Sequence, residues 1–499
     1  MDDSEWFGEH PKPSIVRAGA WATAANVGNA ALTLIGTVIL SRLLDPADVG
    51  LFALAFSFYS IPSLIVGPGL TAAAVQAPHL TRHQSSNLFW INVAANTAMA
   101  ALLVAISPYL AGWFHQPALR TLCPVFALVL ILEAFATQYR ALLTRTMRFD
   151  LVAKIGFLTG LGSLIVAIVL ATLGLGMWAL VIQVIVAAVA DRIALATVVP
   201  WRPSLFDHRI SVRELVHFSG ASSLSLAMHM VYSQSQSLLM GRFASVDNVG
   251  YYTRGQALFQ KPFAQIIGPL HAVLLPALSS RQRDPALLGG AVYRANSVLY
   301  SLLPPLVIWL MISGTDIVVV LLGKAWEPAG RALFWFAAAA IPGILFSTLY
   351  KSNDAIGKPA WGLVIRASFL PILITGLVWA APHGAEAMAA VGAAVEWASA
   401  PLIFLRLVKN GPVPPRFFAR SMAECIAAML VIALLMLPIH SWIDRTGLPA
   451  IWRASLSLCA CYATGLLVVG LFPFGRAAWH ELHELTRRCF CRTVTTTTC

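Results

Sequence analysis

Of the 499 residues only 34 are Lys or Arg and 22 are Asp or Glu. An ionisable side chain inside a long apolar run is costly and therefore a candidate for function. The run from Tyr251 to Gln265 holds the densest such set. On a helix Arg254, Lys261 and Gln265 succeed one another at offsets of seven and four and share a face, with Gln260 one residue before the lysine. Ala257 and Leu258 interrupt the face, and Pro262 is placed to kink it. Cations on the wall of a wet cavity offset the desolvation of a phosphate group. Snorkelling, or pairing with a buried acid, accounts for Lys261 as well. The anions inside apolar runs are Glu133, Asp316, Glu396 and Glu424; Glu133, Glu396 and Glu424 are candidates to relay protons, and internal pairing is the alternative. Amides form a third group: Asn26 and Asn29 in the first apolar run, Gln234 and Gln236 among Ser233, Ser235 and Ser237 in the seventh, and Gln260 and Gln265 in the eighth. They suit either a polar cavity wall or hydrogen bonds between membrane helices.

Several other chemistries lack their residues. The chain has no Gly-rich loop ending in Lys-Ser/Thr to cradle phosphates. Paired aspartates occur only at Asp2-Asp3, and no His/Asp pair marks an acyltransferase. Neither an enzyme nor a resident cofactor is expected. The seven cysteines, Cys123, Cys425, Cys459, Cys461, Cys489, Cys491 and Cys499, are odd in number and do not form a disulfide framework. Cys489 and Cys491 lack the second pair that zinc needs, and His480 and His483 lack a third ligand, so no metal site is expected. The net charge of +12 comes from short basic segments between apolar runs. That distribution suits topology signals and lipid headgroups, and no nucleic-acid partner is expected.

These residues must be positioned by membrane helices. Hydrophobic residues make up 58% of the chain and charged ones 11%, and the mean hydropathy is +0.75. A soluble surface takes roughly a quarter charged residues. The expected fold is all-α and membrane-integral, with about fourteen spans of some 20 residues each, from 18–41 to 452–473. The acidic start, with Asp2, Asp3, Glu5 and Glu9, is unlike a signal peptide, so the first apolar run should persist as a span. With the N-terminus in the cytoplasm, alternation puts about 25 Lys and Arg inside and about 8 outside, and both termini are then cytoplasmic. The stretch Ser41–Gly50 is echoed at Gly241–Gly250: Arg42 meets Arg242, Val49 meets Val249, Gly50 meets Gly250 and Pro62 meets Pro262. The offset covers six spans, an even number, so the halves insert in parallel, which is a transporter architecture with the substrate path between lobes. The expected division is an N-terminal lobe at 1–213 (spans 1–6), a C-terminal lobe at 214–410 (spans 7–12), spans 13 and 14 within 411–474, and an amphipathic to disordered tail at 475–499.

The turn Leu40–Leu54 resembles the first inter-helix turn of Wzx-type polysaccharide flippases, in the multidrug/oligosaccharidyl-lipid/polysaccharide exporter superfamily. Gly67–Gln76 and Leu80–Asn92 are similar to the colanic-acid-exporter branch, and Asp247–Gly255 fits in the second half. The resemblance extends to exopolysaccharide systems like that of xanthan. It implies two pseudo-symmetric six-helix lobes plus two extra helices, rocking about a central cavity in the bacterial inner membrane. The implied cargo is an undecaprenyl-pyrophosphate-linked oligosaccharide, with a polysaccharide polymerase and chain-length and export proteins as partners. Flippases of this kind use cations in spans one, two and eight; Arg17, Arg42, Arg254 and Lys261 fall in comparable places. Two rivals stand beside it: a cation/drug antiporter of the same superfamily, which calls for an acidic, aromatic cavity, and a membrane polymerase or ligase, which calls for a large outer loop.

Overall fold

The computed structural model describes residues 15–77, 80–212, 215, 233–279, 285–355, 360–410 and 415–476. Every regular element among them is helical. The helices are α1 (Ile15–Leu43), α2 (Pro46–Gln76), α3 (Arg82–Trp113), α4 (Leu119–Arg145), α5 (Phe149–Thr172), α6 (Met177–Val198), α7 (described over 233–243), α8 (Val246–Ser279), α9 (Pro285–Leu322), α10 (Glu327–Ala355), α11 (Ala360–Ala380), α12 (Ala385–Asn410), α13 (Pro415–Arg445) and α14 (Ala450–Leu471). Among the described residues eleven helices are long and apolar enough to cross a membrane. Three expected spans are not among the eleven. The span at 215–240 lies largely outside the described residues, and so do the side chains of 269–279 in α8 and of 360–367 in α11. The amphipathic tail with His480 and His483, the cysteines Cys489, Cys491 and Cys499, and the acidic start also lie outside the described residues.

The helices begin and end for local reasons. Asp45 is extended and Pro46 opens α2 at a position where its missing N–H costs nothing. Thr81 and Gln84 form a reciprocal capping box at the start of α3. Apolar side chains lie on the outside as well as in the core: Leu158, Leu434, Leu437, Leu467 and Leu471 are exposed, while Asn92, Asn96 and Asn296 are buried within a largely hydrophobic interior. The buried amides are used between helices. Asn92 donates to the Ala134 carbonyl at 2.9 Å, and the Asn296 amide oxygen accepts from Thr348 at 2.6 Å. Such bonds hold membrane helices together where no hydrophobic effect separates helix from lipid.

The chain forms two compact units, Met1–Thr253 and Arg254–Cys499. In the first, α3 packs on α4, α4 on α6, and α5 on α6. In the second, α9 packs on α10, α10 on α12, and α11 on α12. The pairings recur six helices later, as the echo between Ser41–Gly50 and Gly241–Gly250 predicts. The aromatic core of the first unit stacks Phe52, Phe56, Tyr59 and Phe126 at centroid separations of 5.2–6.0 Å. Also within this unit, the opening turn of α8 lies directly on the opening turn of α2. A Cβ on Gly50 would stand 1.9 Å from the Val246 carbonyl oxygen, and one on Gly250 2.3 Å from that of Pro46. Only glycine permits that approach.

Candidate functional site

The face foreseen on α8 contains two cations that meet no counter-ion among the described residues. Arg254 and Lys261 are both partly buried, and the Arg254 Nε is buried with no hydrogen-bond partner. Among the described residues no acid pairs with either; the charge that Lys261 feels is that of Arg254 itself. Two like charges seven residues apart on one helix repel, and each has lost hydration. The backbone explains why Arg254 is held inward. The neighbouring Gly255 lies against α10, where a Cβ would come within 2.9 Å of the Ala329 carbonyl oxygen. Leu258, which interrupts the polar face in sequence, is buried, and Phe259 stacks on Phe263 at 5.1 Å. Gln265 is partly buried in the same register, whereas Gln260 points elsewhere and is exposed. This half of α8 thus presents an Arg–Lys–Gln row, suited chemically to a diphosphate or a similar dianion.

Other candidates are distributed differently. Arg42 is exposed in the last turn of α1, and the side chain of Arg17 lies outside the described residues. Asn26 is exposed and Asn29 partly buried beside Gly156 of α5. The two glutamines of α7 are engaged between helices. Gln234 accepts from Ser57 at 3.3 Å and donates to Ser60 at 2.6 Å, and Gln236 accepts from the Tyr252 hydroxyl at 2.6 Å. In this structure both amides act as helix–helix bonds instead of facing open space. Of the acids, Glu424 accepts from Arg420 at 2.9 Å one turn away, and Asp316 is paired with Arg453 between α9 and α14. Glu396 is partly buried on α12.

Glu133 is different, and its surroundings are the part that the sequence did not disclose. A cavity of about 1070 Å³ opens inside the first unit, walled by α2, α4, α5 and α6. Small residues make the space: Gly67, Ala136, Gly156, Gly160 and Ala187. Its polar groups include Glu133, Gln183, and the pair Arg140–Asp191, which meets at 2.7 Å. Tyr59 of α2 lines the same cavity as Glu133. Asp191 was the available signal, since it stands in a 22-residue apolar helix with only Arg192 for charged company. Among the described residues no group of His, Cys, Asp and Glu is arranged for a metal ion, and Cys123, Cys425, Cys459 and Cys461 are free.

Comparison with known proteins agrees with this architecture. A family profile described as "Polysaccharide biosynthesis protein" matches residues 39–331. The chain is 26% identical over 359 residues to the succinoglycan biosynthesis transport protein ExoT of Rhizobium meliloti (strain 1021), covering 71% of this chain and 72% of that protein. Its fold is similar to that of the lipid II flippase MurJ in an inward closed conformation, with a TM-score of 0.67 at 14% identity, over 90% of this chain and 98% of MurJ. It is also similar to an inward-facing multidrug resistance transporter of the MATE family in the MOP superfamily, with a TM-score of 0.61 at 14% identity, over 79% and 96% of the two chains. At that identity the two structures speak for the fold alone.

Proposed function

The chain belongs to the polysaccharide biosynthesis protein family, and on that premise we propose that it flips an undecaprenyl-pyrophosphate-linked oligosaccharide across the bacterial inner membrane by alternating access. The observation that carries this is the Arg254–Lys261 pair: two partly buried cations on one helix face with no acid partner among the described residues. Such a site is unfavourable empty and favourable around a dianion, because an anionic ligand repays the desolvation that both side chains have undergone. A drug antiporter would need the opposite sign at this place. ExoT is named as a transport protein in succinoglycan biosynthesis, and MurJ as a lipid II flippase; both names fit a cargo with a sugar head and a lipid anchor.

The parallel repeat supports two lobes that rock about the path between them. Both termini then lie in the cytoplasm, the orientation that keeps most Lys and Arg inside. Arg17 and Arg42 are proposed as further cations along the path. The polymerase and the chain-length and export proteins of the same pathway are the proposed partners. No covalent step is required of this chain: it binds the diphosphate, shelters it from hydrocarbon and releases it.

The test is export. In a strain lacking its own copy, Arg254→Ala and Lys261→Ala should each lower polymer in the medium at least roughly tenfold, the scale of a lost charge-assisted hydrogen bond, with protein levels in the membrane unchanged. Lys261→Arg, which keeps the charge, should retain most export. Full export by both alanine variants would remove the proposed site.

A further inference from the structure

The cavity inside the first unit carries a net negative charge in a chain whose overall charge is +12. Its three charged side chains are Glu133, Arg140 and Asp191. Arg140 is spent on Asp191, at 2.7 Å, and stands half exposed where the cavity meets its surroundings. Glu133 sits seven residues before Arg140, about 10 Å along the helix axis, and forms no ion pair among the described residues. The Tyr59 phenol of α2 lines the same cavity. The wall contributed by α5 offers Gly156, Thr159, Gly160 and Ser163 and no titratable group. Thr159 and Ser163 already donate to carbonyls of their own helix, at 2.8 and 3.0 Å. From α6 come Asp191, which is already paired, and the neutral Gln183. Glu133, partly buried, is therefore the cavity carboxylate that no ion pair neutralises among the described residues, with Arg140 acting on it only from a distance. Burying an isolated carboxylate is prohibitive, and the group takes up a counter-charge or becomes neutral.

We infer that Glu133 is a proton-loading site of this unit, exchanging with the outside through the cavity past the Arg140–Asp191 pair. Loading places a proton on a Glu133 carboxyl oxygen and leaves the group neutral. Release restores the carboxylate. A proton suits the site better than a metal cation, because among the described residues no group of three His, Cys, Asp or Glu is arranged for one. The role presupposes the transport proposed above, in which ion entry would drive the conformational cycle, but the loading itself is observable without any cargo.

The experiment is infrared difference spectroscopy of the full-length protein in lipid nanodiscs, titrated with acid and followed at the C=O stretch of protonated carboxyls. The wild-type minus Glu133→Gln double difference should isolate one titrating carboxyl band against the background of the other acids in the chain, and that band should survive in Asp191→Asn. Glu133→Asp, which keeps a carboxyl, should retain a titrating band at a shifted frequency, which separates loss of the site from loss of the fold. Three results would overturn the inference: a band equal in wild type and Glu133→Gln, a band that follows Asp191, or a titration abolished by sodium at constant pH, which would make the site a metal-cation site. Failure of this experiment leaves Arg254 and Lys261 untouched, and failure of the export test leaves Glu133 untouched.

Discussion

A charged side chain within a membrane helix has to be answered by something, and the answers here sort the residues. Glu424 is met by Arg420 one turn away and Asp316 by Arg453 on another helix, while Glu133 forms no ion pair among the described residues. Arg254 and Lys261 meet no acid among the described residues, which is why they are the proposed contact for cargo. The Asp316–Arg453 pair is structural. Arg453 also reaches Asp444 at 3.6 Å, so one guanidinium ties α14 to both α9 and α13. Breaking a fully buried pair from one side costs about 3–5 kcal/mol. These side chains keep 15% and 29% exposure, so Asp316→Asn should cost less, about 1–3 kcal/mol. Thermal unfolding in detergent would read that loss, and Asp316→Asn with Arg453→Gln should recover part of it. Residue chemistry was legible where it depends on spacing along one helix, as for Arg254, Lys261 and Gln265. It was not legible where it depends on distant partners. Gln234 is 174 residues from the Ser60 it bonds, so nothing local distinguished a cavity wall from a bond between helices.

At the scale of elements, the turns that carry the family likeness are structural hardware. In the run Leu80–Asn92, Thr81 and Gln84 cap α3. The Asn87 amide holds the Asp207 and Ile210 carbonyls at 2.7 and 3.0 Å, and Trp90 donates to Ser204 at 2.8 Å. A sequence pattern of this kind records how helices start and where loops are pinned. The echoed glycines make the same point. Gly50 and Gly250 align in the repeat and lie on each other's helix in the structure, with no room for a side chain. Gly50→Ala should therefore force the opening turns of α2 and α8 apart at a cost of about 1–3 kcal/mol, the range of an overpacked core. Gly162→Ala, in the middle of α5 with open space around its Cβ, should be neutral or slightly stabilising. Unfolding midpoints of the two variants check the contrast. Sequence showed that the turns correspond; that they touch required the tertiary arrangement.

Among the described residues apolar side chains fill the core and also cover the outside, and the chain is divided into two units whose helix pairings repeat. Composition alone disclosed the class, because 11% charged residues cannot wet a globule of this length. The number of spans was harder to fix, since parts of three expected ones lie outside the described residues. The internal cavity was also beyond sequence: it arises from absent side chains on four helices, and small residues in a membrane helix equally signal close packing. The central claim is that this chain carries a lipid diphosphate past the hydrocarbon core on the cations of α8. The direct measurement is transbilayer exchange of a fluorescent undecaprenyl-pyrophosphate-linked sugar in vesicles containing the purified protein. Exchange above that of empty vesicles, lost in the Arg254→Ala/Lys261→Ala double variant, is the predicted result; exchange unaffected by those substitutions, or absent from wild type, would contradict it.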